Sequence, residues 1–429
     1  MSESLRVALQ RRTIAEQQPL SCALLTTTFR NFFEDLVLAC PGLSVGCFPP
    51  DVLGVPGDHN PYLLPYRNRC NVALVTSAWY ERLASSRPDD VEPVFTRLRQ
   101  AADAVVALDV SDGFDLGSRP SFLDRVDLAL KAQGIYRDRD LYNMRRAPLH
   151  PSHPGPPEPA PPEQRFRPEQ LEKLRLSVPC FLAVDRRIRH QIRRAKPDIP
   201  KAARWRRWIG DIALETGLAA ERRARPPTKL VHCVGGLSHV SRLDLMRLLR
   251  ELGVSGEHRV TGIPDWVAGT EYYSRVEKVP PDLQSQWEEE LRELGVWGPA
   301  ESRPRYRQSM LAHKAVLAPR GHGEVTYRHA EAWLSGRALV CHDLRGVETM
   351  FPFRDGENVI FCSPDWSDLP RILEELESDN ELSASIGSAG RQDWIRWCAD
   401  PWRVLEDGIV RPIREALAAG MMQHKQSAV

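Results

Sequence analysis

The stretch from Lys314 to Asp343, KAVLAPRGHGEVTYRHAEAWLSGRALVCHD, holds the densest set of groups able to grip an anion. An apolar run, Ala315 to Ala318, feeds the loop Pro319-Arg320-Gly321-His322-Gly323-Glu324, and a helical pattern follows from Thr326 to Ser335, closed by Gly336. Gly321 and Gly323 let the backbone approach a ligand closely or take positive φ. The first turn of the helix presents unpaired N–H groups and the positive end of its dipole, a setting that suits a diphosphate. Glu324, Arg328 and Glu331 are four and three apart, so the spacing predicts one helical face directed back toward the loop. Arg328 can fork onto phosphate oxygens. Glu331 can receive both hydroxyls of a ribose, because an ionised carboxylate only accepts. The same spacing also fits an exposed, salt-bridged helix face with no ligand.

These groups need a scaffold, and the surrounding pattern supplies one. Lys229 to Val234 reads as a strand, followed by Gly235-Gly236 and a helix from Ser241 to Leu252 closed by Gly253. Ala338 to His342 and Asn358 to Cys362 read as further strands, and Ser367 or Asp365 is placed to cap a helix from Leu369 to Glu377. This alternation predicts a doubly wound α/β unit. Earlier in the chain, Leu20 to Thr27, Asn71 to Thr76 and Ala104 to Val110 read as buried strands, with a helix over Val91 to Ala102. The rhythm again predicts a parallel sheet. Pro148 to Pro168 reads as an extended, exposed proline-rich loop. Val184 to Arg225 is arginine-rich with helical spacing, Trp205 and Trp208 sharing a face, and Arg225-Pro226-Pro227 marks a boundary.

Composition narrows the class of protein. The chain has 429 residues, enough for two domains with buried cores. Its 42% hydrophobic and 27% charged content is that of an ordinary globular protein. A formal net charge of +1 gives no bulk electrostatic case for nucleic acid. No apolar run approaches the roughly 20 residues that span a bilayer, and Met1 to Gln18 lacks a signal-peptide core. Nine scattered cysteines without a CxxC pair suggest free thiols in a reducing compartment, so a cytoplasmic location is expected.

The region from about Tyr306 to Leu376 resembles the donor-binding half of bacterial family 1-type and exostosin-like glycosyltransferases of the GT-B type. The residues that carry the likeness are Lys314, Pro319, Gly321, Gly323, Glu324, Arg328, Glu331-Ala332, Gly336, Asp343, Glu348-Thr349 and Trp366-Ser367-Asp368-Leu369. A fainter likeness places Gly235, Gly236 and Arg242 where such proteins open the donor domain; a tight turn without ligand is the alternative there. The resemblance implies a GT-B-like α/β fold, two Rossmann-like domains whose parallel sheets face a central cleft. It implies donor phosphates at Arg328, the ribose at Glu331, and a donor site that also includes Arg320, Gly321, His322, Gly323 and Glu324. Residues 1–227 would form the acceptor side, 228–400 the donor domain, and 401–429 a helix and tail packing back toward the first domain.

Retaining members commonly carry two glutamates with seven residues between them, whereas Glu324 and Glu331 have six between and Gly323 stands eight before Glu331. The pattern therefore leans toward an inverting enzyme, which needs a base to deprotonate the acceptor hydroxyl. Asp109 and Asp112 are the preferred candidates, with Asp115 nearby, since they follow a strand whose carboxyl end should face the cleft. Lys131 and Gln133 weakly echo the family's first half, and helix surface is the competing reading. No His, Cys or Asp cluster has metal-binding spacing, so neither a metal nor another cofactor is expected. The expected partners are a nucleotide-sugar donor and a carbohydrate, lipid-linked or other hydroxyl acceptor, with no nucleic acid. The basic segment Arg186 to Arg207, interleaved with tryptophan, raises peripheral membrane contact against the plainer reading of solvated helices. Alternatives on the same scaffold are a sugar-nucleotide epimerase or hydrolase, or a non-catalytic polyanion-binding protein.

Overall fold

Two runs of β-branched and aliphatic residues, each broken by amphipathic helices, collapse into two parallel sheets. The structure, a computed structural model, describes residues 18–25, 32–48, 70–109, 116, 118–146, 158–179, 226–264, 279–321 and 324–426. In the first half the strands are β1 (Leu20–Leu25), β2 (Leu43–Phe48), β3 (Cys70–Thr76), β4 (Ala102–Asp109), β5 (Leu128–Lys131), β6 (Ile135–Tyr136), β7 (Met144–Arg146), β8 (Glu158–Pro159) and β9 (Leu174–Leu176). Six of them form a sheet in the order β2-β1-β3-β4-β5-β9, parallel throughout. β3 and β4 are buried along nearly their whole length, as expected of strands covered on both faces.

The second half adds β10 (Lys229–Gly235), β11 (Gly256–Val260), β12 (His313–Ala318), β13 (Ala338–His342), β14 (Val347–Glu348) and β15 (Ile360–Cys362). Five strands pair in parallel in the order β11-β10-β12-β13-β15. The chain runs from β10 outward to β11 and then returns to β12 on the other side of β10. That reversal opens a crevice at the carboxyl ends of β10 and β12, the place where ligands of such sheets bind. The fold is α/β, built on two parallel sheets.

The two halves are joined at strand level. β6 pairs antiparallel with β14, Tyr136 opposite Val347 and Ile135 opposite Glu348. Arg137 N donates to Gly346 O at 3.0 Å, and Arg139 faces Glu348 at 3.5 Å. After helix Asn380–Trp397 the chain turns back through Pro401–Leu405, a π-helical turn Glu406–Val410 and helix Arg411–Gln426. Ser177 Oγ donates to Gly408 O at 2.6 Å, and Trp402, Ile409 and Ile413 join one core with Leu36, Val37 and Val75. The final helical segment expected from Pro401 thus carries a π interruption and packs on the first sheet. Among the described residues no helix is long and apolar enough to cross a membrane.

Several local expectations change. Lys131 and Gln133 do not lie on a helix surface: Lys131 ends the buried strand β5, and Gln133 is buried with φ 71°. The described part of the proline-rich segment is not simply extended, since Glu158–Pro159 pairs with β7 and Pro168–Leu171 forms a helical turn that buries Gln170. Asp368, rather than Ser367 or Asp365, stands at the N-cap of helix Leu369–Ser378, and its Oδ1 accepts from Ser363 N at 2.8 Å. The arginine-rich segment, including Arg186 to Arg207 with Trp205, and Trp208 beyond it, lies outside the described residues.

Helix Asn380–Trp397 approaches helix Tyr327–Ser335 through glycines. A Cβ on Gly387 would overlap the Gly336 carbonyl, and one on Gly390 the Trp333 ring. Gly387→Ala is expected to destabilise the fold by about 1–3 kcal/mol, because backbone atoms cannot yield as a side chain can. A urea midpoint equal to that of the native chain would contradict this packing.

Candidate functional site

Arg242, in the first turn of helix Ser241–Glu251, is directed inward by the short loop after β10. Its Nε donates to Arg320 O at 2.7 Å, Nη1 to Gly236 O at 2.5 Å and Nη2 to Pro319 O at 3.1 Å. Three carbonyls from two loops are therefore held by one side chain. Burial, and then Arg328 beside it, push the Arg242 guanidinium down to about 9. It clamps the crevice floor, so its contribution to a ligand is the shape of these loops.

Arg328 comes from the opposite side, in the first turn of helix Tyr327–Ser335. Its Nη2 donates to Val234 O, and its buried Nε has no hydrogen-bond partner among the described residues. A Cβ on Gly235 would overlap that Nη2 and would sit 3.4 Å from Arg242 Nη1, so Gly235 is needed to make room for two guanidinium groups. Gly321 is similarly tight: its Cβ position lies 3.1 Å from Ser238 Oγ and 3.3 Å from Arg242 Nη2. Gly236 has only ordinary contact with Gly262 O. Burial opposes the Arg328 charge, yet Tyr306, Cys233 and Glu331 outweigh it and hold the group above its usual range. Glu331, one turn along, is half-buried and accepts from Tyr306 Oη at 3.1 Å. Two cations and an acceptor carboxylate thus line the switch-point crevice.

The predicted shared face of Glu324, Arg328 and Glu331 does not form. The helix begins at Tyr327, so Glu324 belongs to the preceding loop, 3% exposed, with Arg320 Nη2 at 2.6 Å and Arg320 itself 0% exposed. This enclosed pair braces the loop from within. The helix start is also less open than predicted, because the buried His329 accepts from Thr326 N at 3.1 Å through Nδ1. His322 and Gly323 lie outside the described residues.

On the first sheet, Asp109 ends β4 and is 0% exposed. Its Oδ2 accepts from Ser118 N and Oγ, both at 2.9 Å, while Lys131 Nζ stands 3.8 Å from Oδ1. A carboxylate so enclosed and engaged anchors Ser118 above β4. Asp112 and Asp115 lie outside the described residues.

Other residues of the resemblance prove architectural. Trp366, at φ 63°, packs against His342 with ring centroids 4.3 Å apart and planes tilted by 45°, and donates to Ser241 O at 3.3 Å, fixing the Arg242 helix to β13. Asp343 binds Arg345, and Glu348 reaches Arg139 of the first half. Tyr306 and His329 were missed. His329 sits three after Thr326, where a capping partner belongs, but Tyr306 precedes Glu331 by 25 residues on another helix. Among the described residues no three His, Cys, Asp or Glu side chains assemble as metal ligands.

Residues 248–396 match a family model described as glycosyl transferase-like. The matched stretch contains Arg320 to Glu331. No curated protein sequence matches the chain. Among solved structures, it is similar to Anabaena HepE in complex with UDP and glucose, at 12% identity and TM-score 0.47, covering 93% of this chain and 100% of that one. It is similar to a glycosyltransferase of Rickettsia africae at 9% identity and TM-score 0.49, covering 93% and 99%. A structure of E. coli described as trehalose-6-phosphate bound with UDP-2-fluoro glucose aligns at 11% identity and TM-score 0.47, covering 92% and 99%.

The second sheet carries several histidines kept neutral by their surroundings. Burial pushes His232 down to about 2, and His329 and His342 to about 3. Each folded value lies below the ordinary 6.5, so these groups contribute stability above that pH and lose it as pH falls toward the folded values. Each should cost about 1.4 kcal/mol per pH unit once the unfolded chain is protonated. His232→Phe is expected to make the fall in melting temperature between about pH 7 and about pH 5 shallower. An unaltered slope would show that His232 is not among the titrating groups.

Proposed function

We propose that this enzyme takes a nucleotide-diphosphate sugar into the crevice between β10 and β12 and transfers the sugar, with inversion, to an acceptor hydroxyl in glycan or glycoconjugate synthesis. The observation that carries this reading is the convergence of Arg242 and Arg328 beside Gly235, with Glu331 one turn beyond Arg328. Two neighbouring guanidinium groups with carbonyl and hydroxyl partners call for an anion, and a pyrophosphate supplies one of suitable size and charge. Glu331 then receives the ribose hydroxyls. In transfer, the bond from the anomeric carbon to the diphosphate oxygen breaks, and the acceptor oxygen takes that carbon. The leaving diphosphate's charge is offset by Arg328 and by the loop dipoles held in place by Arg242, with no metal required.

Inversion is favoured by Glu324, whose carboxylate is enclosed with Arg320 and so is unavailable beneath the sugar. Residues 1–227 form the acceptor side in this reading, 228–400 the donor side, and 401–429 the returning segment. Asp112, beyond the anchored Asp109, is the candidate base. The exostosin-like likeness, a cytoplasmic location and a peripheral membrane contact through 186–207 belong to the same proposal.

A thermal-shift screen with UDP, GDP, ADP and CDP and their sugars tests it. At about 100 times its dissociation constant a true ligand adds roughly 2.7 kcal/mol of stability. Arg328→Ala and Glu331→Ala should each abolish most of that gain. If both variants shift as the native chain does, the donor site is elsewhere. Gly235→Ala offers a sharper check, since its Cβ displaces only the mobile end of Arg328. The unliganded melting temperature should stay within about 3 °C of native, while nucleotide affinity falls at least tenfold.

A further inference from the structure

We propose that Tyr306 is a positioning residue that holds Arg328 and Glu331 apart in fixed orientations and so makes the crevice select ribose over 2′-deoxyribose; this rests on the nucleotide reading above and deepens it. Tyr306 belongs to helix Arg303–Leu311, which packs beside helix Tyr327–Ser335. Its hydroxyl donates to Glu331 Oε2 at 3.1 Å, with the Arg328 guanidinium near enough to act on the phenol electrostatically. A phenol has one proton, and here it goes to the carboxylate. Among the described residues no other group donates to Glu331. One carboxylate oxygen is thus oriented by the protein, and the other is left for a ligand hydroxyl.

The hydroxyl also stands between a cation and an anion on the same helix. Arg328 and Glu331 are three apart, a spacing at which they could pair directly. Such a pair would turn the carboxylate toward the guanidinium and deprive a ribose of its acceptor. Tyr306 opposes this by holding the carboxylate with its own proton, while Arg328 is turned to the Val234 carbonyl. The ring is itself held in place, its centroid 5.1 Å from the His232 ring in an edge-on contact. Burial and the nearby carboxylate push the phenol above its ordinary range, so it remains a donor at neutral pH. Its sequence position, well before the glycine loop, explains why motif spacing gives no hint of it.

The experiment is isothermal calorimetry on the full chain with UDP, GDP, ADP and CDP, each beside its 2′-deoxy counterpart. For the nucleotide that binds, Tyr306→Phe should weaken the ribonucleotide about tenfold. The deoxy form should change much less, so the ratio between them narrows. With Glu331→Gln already present, Tyr306→Phe should move that ratio by less than about twofold, because the two residues act as one unit. Tyr306→Met, which fills the space without a hydroxyl, gives the same readout if the Phe variant fails to melt cooperatively. An unchanged ratio in a folded Tyr306 variant overturns the inference while leaving the nucleotide site intact. If Tyr306→Phe weakens both nucleotides equally, Tyr306 is only structural and the inference also falls. If no nucleoside diphosphate binds the native chain, the proposed function fails first, and this inference with it.

Discussion

The second sheet's ligand crevice depends on one buried guanidinium. Arg242 gathers the carbonyls of Gly236, Pro319 and Arg320, and thereby ties the loop leaving β10 to the loop leaving β12. Without it, three carbonyls at the ends of adjacent strands would lack a donor in a place mostly closed to water, which is costly. Trp366 reinforces the clamp from the other side by holding the helix that carries Arg242. The enclosed Arg320–Glu324 pair stiffens the second loop from below. The crevice is therefore set before any ligand enters, as an electrostatic site must be to avoid reorganisation during reaction.

Around that clamp, charge is distributed unevenly. Arg328 lies beside Arg242 across the space left by Gly235, and Tyr306, Cys233 and Glu331 moderate it. Like charges brought together in a poorly solvated place repel, and the depressed Arg242 records that cost. Proteins tolerate such an arrangement where an anionic guest relieves it. The histidines behind the strands add no charge of their own, because burial keeps His232, His329 and His342 neutral.

The halves of the molecule are not simply apposed. A short antiparallel pairing of β6 with β14 carries backbone bonds from one half to the other, and Arg139 meets Glu348 beside it. The returning segment after Pro401 adds an apolar seam against the first sheet, with Ser177 bonded to the Gly408 carbonyl.

Much of this was legible in the order of residues. Period-two and continuous apolar runs such as Ala315 to Ala318 and Ala338 to Val340 must be buried strands, and Gly253 and Gly336 must end helices because each takes positive φ. The glycine loop, Arg328 and Glu331 were visible for the same reason: their chemistry depends on local spacing. What spacing could not convey was which side chains meet across the fold. Glu324 lies in a buried ion pair instead of on a helix face shared with Arg328 and Glu331, and Asp109 anchors Ser118. Tyr306 reaching Glu331, and Arg242 reaching two loops at once, follow from the packing of segments distant in sequence. Local backbone preferences are written residue by residue, whereas a buried polar group takes whichever partner the closed fold brings within reach.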